Sequence, residues 1–145
     1  MKEKNELILH IYQDAEMSCV TLEKLLSDLK TKDNKIKKTV EDVLKEYETY
    51  LKKAKTHLKK EHAEISKNSM FAKMMAKMGV KKEVDNDNSD SAIADMLIKG
   101  ISMGTIDMEK KIKQYEEEVS EEDLKFAYEF LKFQEKAIDI FKGYL

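Results

Sequence analysis

Apolar side chains recur at three- and four-residue steps along most of this chain, which is the spacing of one face of an α-helix. The first such pattern predicts a helix over residues 5–30. Its apolar positions are Ile8, Ile11, Tyr12, Ala15, Cys19, Leu22, Leu26 and Leu29. A polar turn at residues 30–34 ends the pattern, and a second helix is predicted over residues 33–66.

Residues 66–90 interrupt the regular pattern. They contain a methionine-rich stretch, predicted as a short helix over residues 70–79, followed by the polar run 83–88, which is expected to form neither a core strand nor a helix. Two more long helices are predicted beyond this connection, over residues 90–119 and 121–144.

Serine marks the start of both later helices. Ser89 or Asp90 is expected to cap the third long helix. Ser120, with Asp123 three residues later, resembles a capping box with Asp in place of the usual Glu or Gln. Residues 1–145 are therefore predicted to form a single domain of four long helices and one short one.

Composition agrees with an all-α fold. The 145 residues are 41% hydrophobic and 39% charged, with four Gly and no Pro, so they lack the breakers that all-β folds need at their turns. The net charge of -2 offers no attraction to phosphates, so nucleic-acid binding is not expected. The stretch MKEKNELILH lacks the continuous apolar segment and cleavage site of a signal peptide, and no stretch reaches the roughly 20 apolar residues of a membrane span, so a cytoplasmic protein is expected.

Two helical hairpins joined by one long connection form a defined topology, in which the first helix pairs antiparallel with the second and the third with the fourth. In helix lengths, turn positions and crossover, and in the stretch DAEMSCVTLEKLL, the chain resembles the small ferritin-like proteins of unassigned function. The resemblance implies an antiparallel four-helix bundle with a short extra helix in the crossover. It also implies the di-metal centre of ferritin-like enzymes, which uses inward carboxylates and two Glu-x-x-His steps.

The chain departs from that di-metal pattern. The residues three positions before its histidines are Leu7, Ala54 and Lys59, so no Glu-x-x-His step exists. Helical phase places Glu16 only on the shoulder of the first apolar stripe, and Gln134 is the one polar residue within the last. The bundle centre is expected to hold Tyr, Cys, Gly, Met and Gln, because buried carboxylates without a metal are costly. Neither a cofactor nor an enzymatic activity is favoured.

A non-standard metal site is the alternative. Its candidate ligands are Glu16, Tyr47, His57 and Glu61. His57 and Glu61 share one helix face at an i,i+4 step, but this spacing is common in a helix rich in Lys and Glu. An ordinary solvated face is the favoured interpretation of the pair.

One cysteine and two glycines are the remaining candidates for functional positions. Cys19 lies within an apolar stripe without a placed histidine partner and is interpreted as a small apolar filler. Gly100 and Gly104 form a Gly-x-x-x-Gly step, for which close packing is favoured. A small ligand pocket beside Tyr47 and Gln134 is the open alternative for the glycines.

The methionine-rich stretch presents a two-turn apolar face. That face, called the methionine face below, consists of Met70, Phe71, Met74, Met75 and Met78. The favoured interpretation is that it packs on the bundle, where unbranched methionine fills irregular gaps. Three alternatives stay open: an exposed surface for a partner or a second copy of the chain, thioether coordination of Cu(I), and insertion into an anionic membrane surface.

A second apolar face lies on the third long helix. It consists of Met96, Met103 and Ile106. The crossover helix, a second subunit, or the extra aromatic side chains of the last helix are expected to cover it. Those aromatic side chains are Phe126, Phe133 and Tyr144.

The favoured function is that of a non-catalytic binding or scaffold protein. It would use the methionine face or the aromatic side of the last helix to bind a protein partner or a second copy of itself. The alternative is a metal-binding ferritin-like oxidoreductase or metal-storage protein with a non-standard site.

Overall fold

The structure is a computed structural model that describes residues 2–145, with side chains from Asn5 onwards. Within that range the chain forms five α-helices and no strand, which confirms the all-α prediction. The helices are α1 (Lys2–Asp28), α2 (Lys37–Lys60), α3 (Met70–Asn86), α4 (Asp90–Tyr115) and α5 (Glu121–Lys142).

The helices pack around a shared core in which α1 has the central place. α1 contacts all four other helices, most extensively α2, while α4 packs chiefly on α5. Among the fully buried side chains are Leu7 and Ile11 of α1, Tyr47 of α2, and Phe130 and Phe141 of α5. Because α1 has neighbours on several sides, some of its polar positions are also withdrawn from water.

The helix ends follow local capping chemistry. α2 ends at Lys60 rather than at the predicted residue 66, because His62 adopts a left-handed backbone with a φ of 55°. The Ala63 N–H donates to the Leu58 carbonyl at 2.9 Å, which completes a Schellman-type end. The cap predicted at Ser120 is confirmed, since its hydroxyl accepts from the Asp123 N–H at 3.1 Å. Ser89 is the cap of α4 and accepts from the Ala92 N–H.

Helix α3 is longer than the predicted range 70–79 and reaches Asn86. The prediction that residues 83–88 form no helix is therefore wrong for residues 83–86. Small side chains at four-residue steps turn one side of α3 toward the bundle. They are Ala72, Ala76, Val80 and Val84, of which the two valines are buried. This stripe continues through the polar run, and burial of the valines explains why the helix does not stop at residue 79.

The aromatic side of α5 packs on α2. Ring centroids of Phe126 and Phe133 lie 5.8 and 5.2 Å from that of Tyr50, and the Tyr144 hydroxyl lies 2.6 Å from Thr39 Oγ1. The expectation that these aromatic side chains cover the second apolar face of α4 is wrong, because they pack against α2 instead. Met103 and Ile106 remain 68% and 53% exposed.

No helix in the part of the chain that the structure describes combines the length and the apolar character needed to cross a membrane.

Candidate functional site

The methionine face lies on the outside of the protein. Its five side chains are between 50% and 80% exposed, so the interpretation that they pack against the bundle is wrong. At about 100° per residue, the face points away from the Ala72–Ala76–Val80 stripe. Helix α3 therefore has two apolar sides, and the one with smaller side chains, which permits a closer approach, is the one that contacts α1.

Glu16 fastens the beginning of α3 to α1. Its carboxylate accepts from the Asn68 backbone N–H and from Asn68 Nδ2, both at 2.9 Å, and from Lys73 Nζ at 3.2 Å. Partial burial by itself raises the pKa of Glu16, but the hydrogen bonds from Asn68 and Lys73 outweigh it and hold that pKa below its ordinary value. Glu16, a candidate metal ligand in the sequence, thus anchors the crossover.

Lysines border the methionine face. Lys77 and Lys82 are exposed, and Lys81 is exposed and pairs with Asp85 at 3.2 Å. A groove of about 570 Å³ runs beside the face, between α1 and α3. It is lined by Val20, Glu23, Lys24 and Ser27 of α1 and by Met74, Lys77, Met78 and Lys81 of α3. The surface therefore combines exposed thioethers with three exposed lysines, one of which is paired with an aspartate.

A polar cluster lies inside the helix assembly, at the mid-length of α1. Gln134 Nε2 donates to Asp14 Oδ2 at 2.9 Å and contacts the Tyr47 hydroxyl at 3.3 Å. The Ser18 hydroxyl donates to Asp14 Oδ1 at 3.1 Å. Gln134 is fully buried, and its Oε1 atom has no hydrogen-bond partner among the described residues. Three helices thus supply one hydrogen-bonded unit.

Burial sets the protonation behaviour of this cluster. It raises the pKa of the Asp14 carboxyl above its ordinary value, against the opposing influence of the hydrogen bond from Gln134. Burial likewise raises the pKa of Tyr47, with the negative charge of Asp14 as a second cause. It lowers the pKa of nearby His10. The environment therefore disfavours every charged form in the cluster.

The two glycines of α4 have different surroundings. A Cβ at Gly104 would lie 3.0 Å from both Asp14 Oδ2 and Gln134 Nε2, so this glycine lets α4 approach the polar cluster. A Cβ at Gly100 would meet nothing within 4 Å. Close packing is confirmed for Gly104, whereas Gly100 borders open space.

That open space is a cavity of about 410 Å³ between α1, α3 and α4. Its lining residues include Asp14, Ser18 and Tyr47 of the polar cluster, and Gly100. The pocket that the sequence left open beside Tyr47 is therefore present, whereas Gln134 lies behind Asp14 and outside the lining.

The proposed metal ligands have separate partners. Glu16 binds Asn68 and Lys73, Tyr47 contacts Gln134, and His57 Nε2 lies 3.3 Å from Asp123 Oδ1. Glu61 is exposed at the end of α2. Among the described residues, no group of three or more His, Cys, Asp or Glu side chains is arranged to hold a metal ion.

Cys19 is buried among the apolar side chains of the core, as the sequence predicted. Burial is the main cause that raises the pKa of its thiol to about 12, with nearby glutamates, Glu48 first among them, adding to the effect. The thiolate, which is the reactive form, is therefore strongly disfavoured.

Asp14 is the functional candidate that sequence reasoning missed. The centre was predicted to contain Tyr, Cys, Gly, Met and Gln, and the structure adds this carboxylate. The sequence does contain a hint of this cluster, because His10, Asp14 and Ser18 are spaced four residues apart and lie beside the main apolar stripe of the helix. Recognising it requires knowing that α4 and α5 also pack on α1.

Comparisons with protein-family models, with curated proteins and with solved structures found no match to this chain. The structure by itself defines an all-helical protein with an exposed methionine-rich helix and a cavity that ends on a buried polar cluster.

Proposed function

We propose that this chain is a non-catalytic binding protein that docks a protein partner on the methionine face of α3. The observation that carries the proposal is the exposure of five large apolar side chains on one side of a helix that is anchored by its other side. Methionine suits such a surface, since its unbranched and polarizable side chain adapts to different partner shapes.

The proposed scaffold is a ferritin-like bundle of α1, α2, α4 and α5, with α3 in the crossover. Two contacts support this arrangement. Thr39 near the start of α2 meets Tyr144 after the end of α5, and His57 near the end of α2 meets Asp123 at the start of α5. These contacts are those of two helices that run in opposite directions, and the long connection between α2 and α4 contains α3.

Charge around the face specifies the partner. Lys77 and Lys82 lie beside the exposed thioethers, together with Lys81 and its partner Asp85. The lysines would repel a positively charged partner and attract an acidic one. The occupant we propose is an amphipathic helix of another protein, with apolar side chains on one face and acidic side chains along its edges. A second copy of the chain and a membrane surface are the competing occupants.

A labelled synthetic helix tests the proposal by fluorescence anisotropy. The probe carries leucines on one face and glutamates along both edges, and its control carries lysines in place of the glutamates. We expect the acidic peptide to bind, and the lysine peptide to bind at least tenfold more weakly. Equal binding of both peptides, or failure of the acidic peptide to bind, contradicts the proposal.

Matched variants locate the binding surface. Met74→Lys together with Met78→Lys should weaken binding of the acidic peptide at least tenfold, because two charges replace apolar contacts. Ile140→Lys is the control, since Ile140 is 42% exposed on α5 and lies outside the methionine face. Mass measured over a range of concentrations gives the competing result: a dimer that Met74→Lys dissolves would make a second copy the occupant.

Metal analysis of the purified protein tests the non-catalytic part of the proposal. After growth in medium supplemented with iron and manganese, we expect less than stoichiometric metal. Stoichiometric iron or manganese that is lost on Glu16→Ala or His57→Ala would instead favour the metal-binding alternative.

A further inference from the structure

The cavity between α1, α3 and α4 has the dimensions of a site for a small organic molecule. Its volume of about 410 Å³ lies within the range of about 300–1,000 Å³ that is usual for ligand pockets. Gly79 and Gly100 are exposed lining residues, and a Cβ at either position would meet nothing within 4 Å. Missing side chains therefore leave an entrance between α3 and α4.

The walls of the cavity are apolar. Leu22, Val80, Leu97 and Ile101 are buried core side chains that line it from α1, α3 and α4. Such walls favour a hydrocarbon or aromatic body, because its contact with them removes apolar surface from water.

The inner end of the cavity is polar and acidic. Asp14, Ser18 and Tyr47 line it, and Asp14 receives one hydrogen bond on each carboxylate oxygen, from Ser18 and from Gln134. A carboxylate oxygen can accept two hydrogen bonds, so Asp14 retains acceptor capacity. The fourteen lining residues within the described chain include Asp14 and Glu83 but no Lys, Arg or His.

We propose that this cavity binds a small lipophilic amine, whose ammonium group pairs with the Asp14 carboxylate and whose apolar body lies between α1, α3 and α4. The walls select the apolar body, and the acidic inner end, where no Lys, Arg or His lines the cavity, selects a cation over a neutral or anionic head group. This site faces away from the methionine face and does not depend on the partner proposed for it.

The protonation behaviour of Asp14 agrees with this assignment. Burial raises the pKa of its carboxyl because it disfavours the charged form, and the hydrogen bonds from Gln134 and Ser18 oppose this only in part. An ammonium group within hydrogen-bond distance would favour the carboxylate and lower that pKa. The titratable groups that face Asp14 are His10 of α1, Tyr47 of α2 and Asp107 of α4. Binding of the amine should therefore strengthen as pH rises through the pKa of Asp14 and stay level until the ammonium group itself loses its proton.

A titration followed by protein amide NMR tests the site. The probe is phenethylamine, and 2-phenylethanol is its neutral counterpart of nearly equal shape. We expect phenethylamine to shift amides of α1, α3 and α4 around the cavity and to bind at least tenfold more tightly than the alcohol. Equal affinity for the two probes, shifts confined to other surfaces, or no binding of the amine would each overturn the proposal.

Two variants and a control assign the roles of the residues. Asp14→Asn should reduce phenethylamine affinity to that of the alcohol, and Gly100→Leu should weaken both probes by filling the entrance while Asp14 stays intact. Asp139→Asn, which removes an exposed carboxylate on α5, should leave both affinities unchanged. Retention of tight amine binding by folded Asp14→Asn protein, or by Gly100→Leu, overturns the proposal even if the other variant fails to fold.

Discussion

Gly104 and Gly100 lie about one turn apart on α4. They allow the low helix propensity of glycine to be distinguished from its role in close packing. Replacing glycine by alanine inside a helix stabilises it by about 1 kcal/mol when the new methyl group meets nothing. Gly100 satisfies that condition, whereas a methyl group at Gly104 would crowd the hydrogen-bonded atoms of Asp14 and Gln134 at 3.0 Å.

We therefore expect Gly100→Ala to raise the free energy of unfolding by roughly 0.5–1 kcal/mol. Gly104→Ala should lower it by about 1 kcal/mol or more, because the buried pair must shift. Urea unfolding of both variants measures the difference. If Gly104→Ala stabilises the protein as much as Gly100→Ala, the close approach of α4 to the polar cluster is contradicted.

Asp14 predicts a pH dependence with a definite sign. Its pKa is raised in the folded protein by burial above the ordinary value of 3.8, so the fold favours the protonated form. The resulting stabilisation is complete below the unfolded pKa and is lost as pH rises through the folded pKa.

The measurement is the free energy of unfolding of wild type and Asp14→Asn from acidic to neutral pH. The difference, wild type minus variant, should fall as pH rises and then level off. Taking the difference removes the titrations that Asp14 does not influence, whereas His10 interacts with the Asp14 charge, so its titration contributes to the difference. A difference that rises with pH would show that the pKa of Asp14 is lowered instead.

The residues at the centre show what a sequence can and cannot predict. Gln134 was recognisable because it interrupts an apolar stripe, and Tyr47 because it belongs to one. Asp14 lies outside the main stripe of α1, so its burial follows only from the positions of α4 and α5. Apolar periodicity identifies the widest apolar face of a helix. A helix with several neighbours also buries positions that flank this face, and periodicity does not identify those.

At the scale of the element, α3 is the helix for which the sequence was most ambiguous. Both of its sides are apolar, so periodicity alone could not identify the buried one. The larger methionine side was expected to pack on the bundle, yet the small side makes the contact through Val80 and Val84. The smaller side chains allow the axes of α3 and α1 to approach more closely, which is a physical reason for this orientation.

Truncations on the two sides of α3 should therefore have unequal effects. Val80→Ala removes buried methyl groups and should lower stability by about 1–2 kcal/mol. Met78→Ala, at a side chain that is 58% exposed, should change stability by less than about 0.5 kcal/mol.

Amide hydrogen exchange along α3 is the measurement for this pair, because it also detects detachment of the helix without global unfolding. Val80→Ala should accelerate exchange in residues 70–86, and Met78→Ala should not. Equal acceleration by both variants would mean that the methionine side also packs on the protein.

At the scale of the whole molecule, one core connects the pair α1 and α2 with the pair α4 and α5. Tyr47 of α2 contacts Gln134 of α5, which donates to Asp14 of α1, and the ring of Tyr47 lies 4.8 Å from that of Phe133. Apolar periodicity predicted the helices that supply these side chains. It could not predict their mutual contacts, which depend on how the helices pack.

A core shared in this way should make unfolding a single cooperative transition. Far-UV circular dichroism follows all helices, while pulsed thiol labelling follows exposure of buried Cys19 on α1. Tyr47→Phe removes the hydroxyl that contacts Gln134 and should lower the free energy of unfolding by about 0.5–1.5 kcal/mol. We expect the urea midpoints from both probes to coincide in wild type and to shift together in the variant. Separate midpoints would mean that α1 and α2 unfold independently of α4 and α5, and the polar cluster would then not join the two pairs.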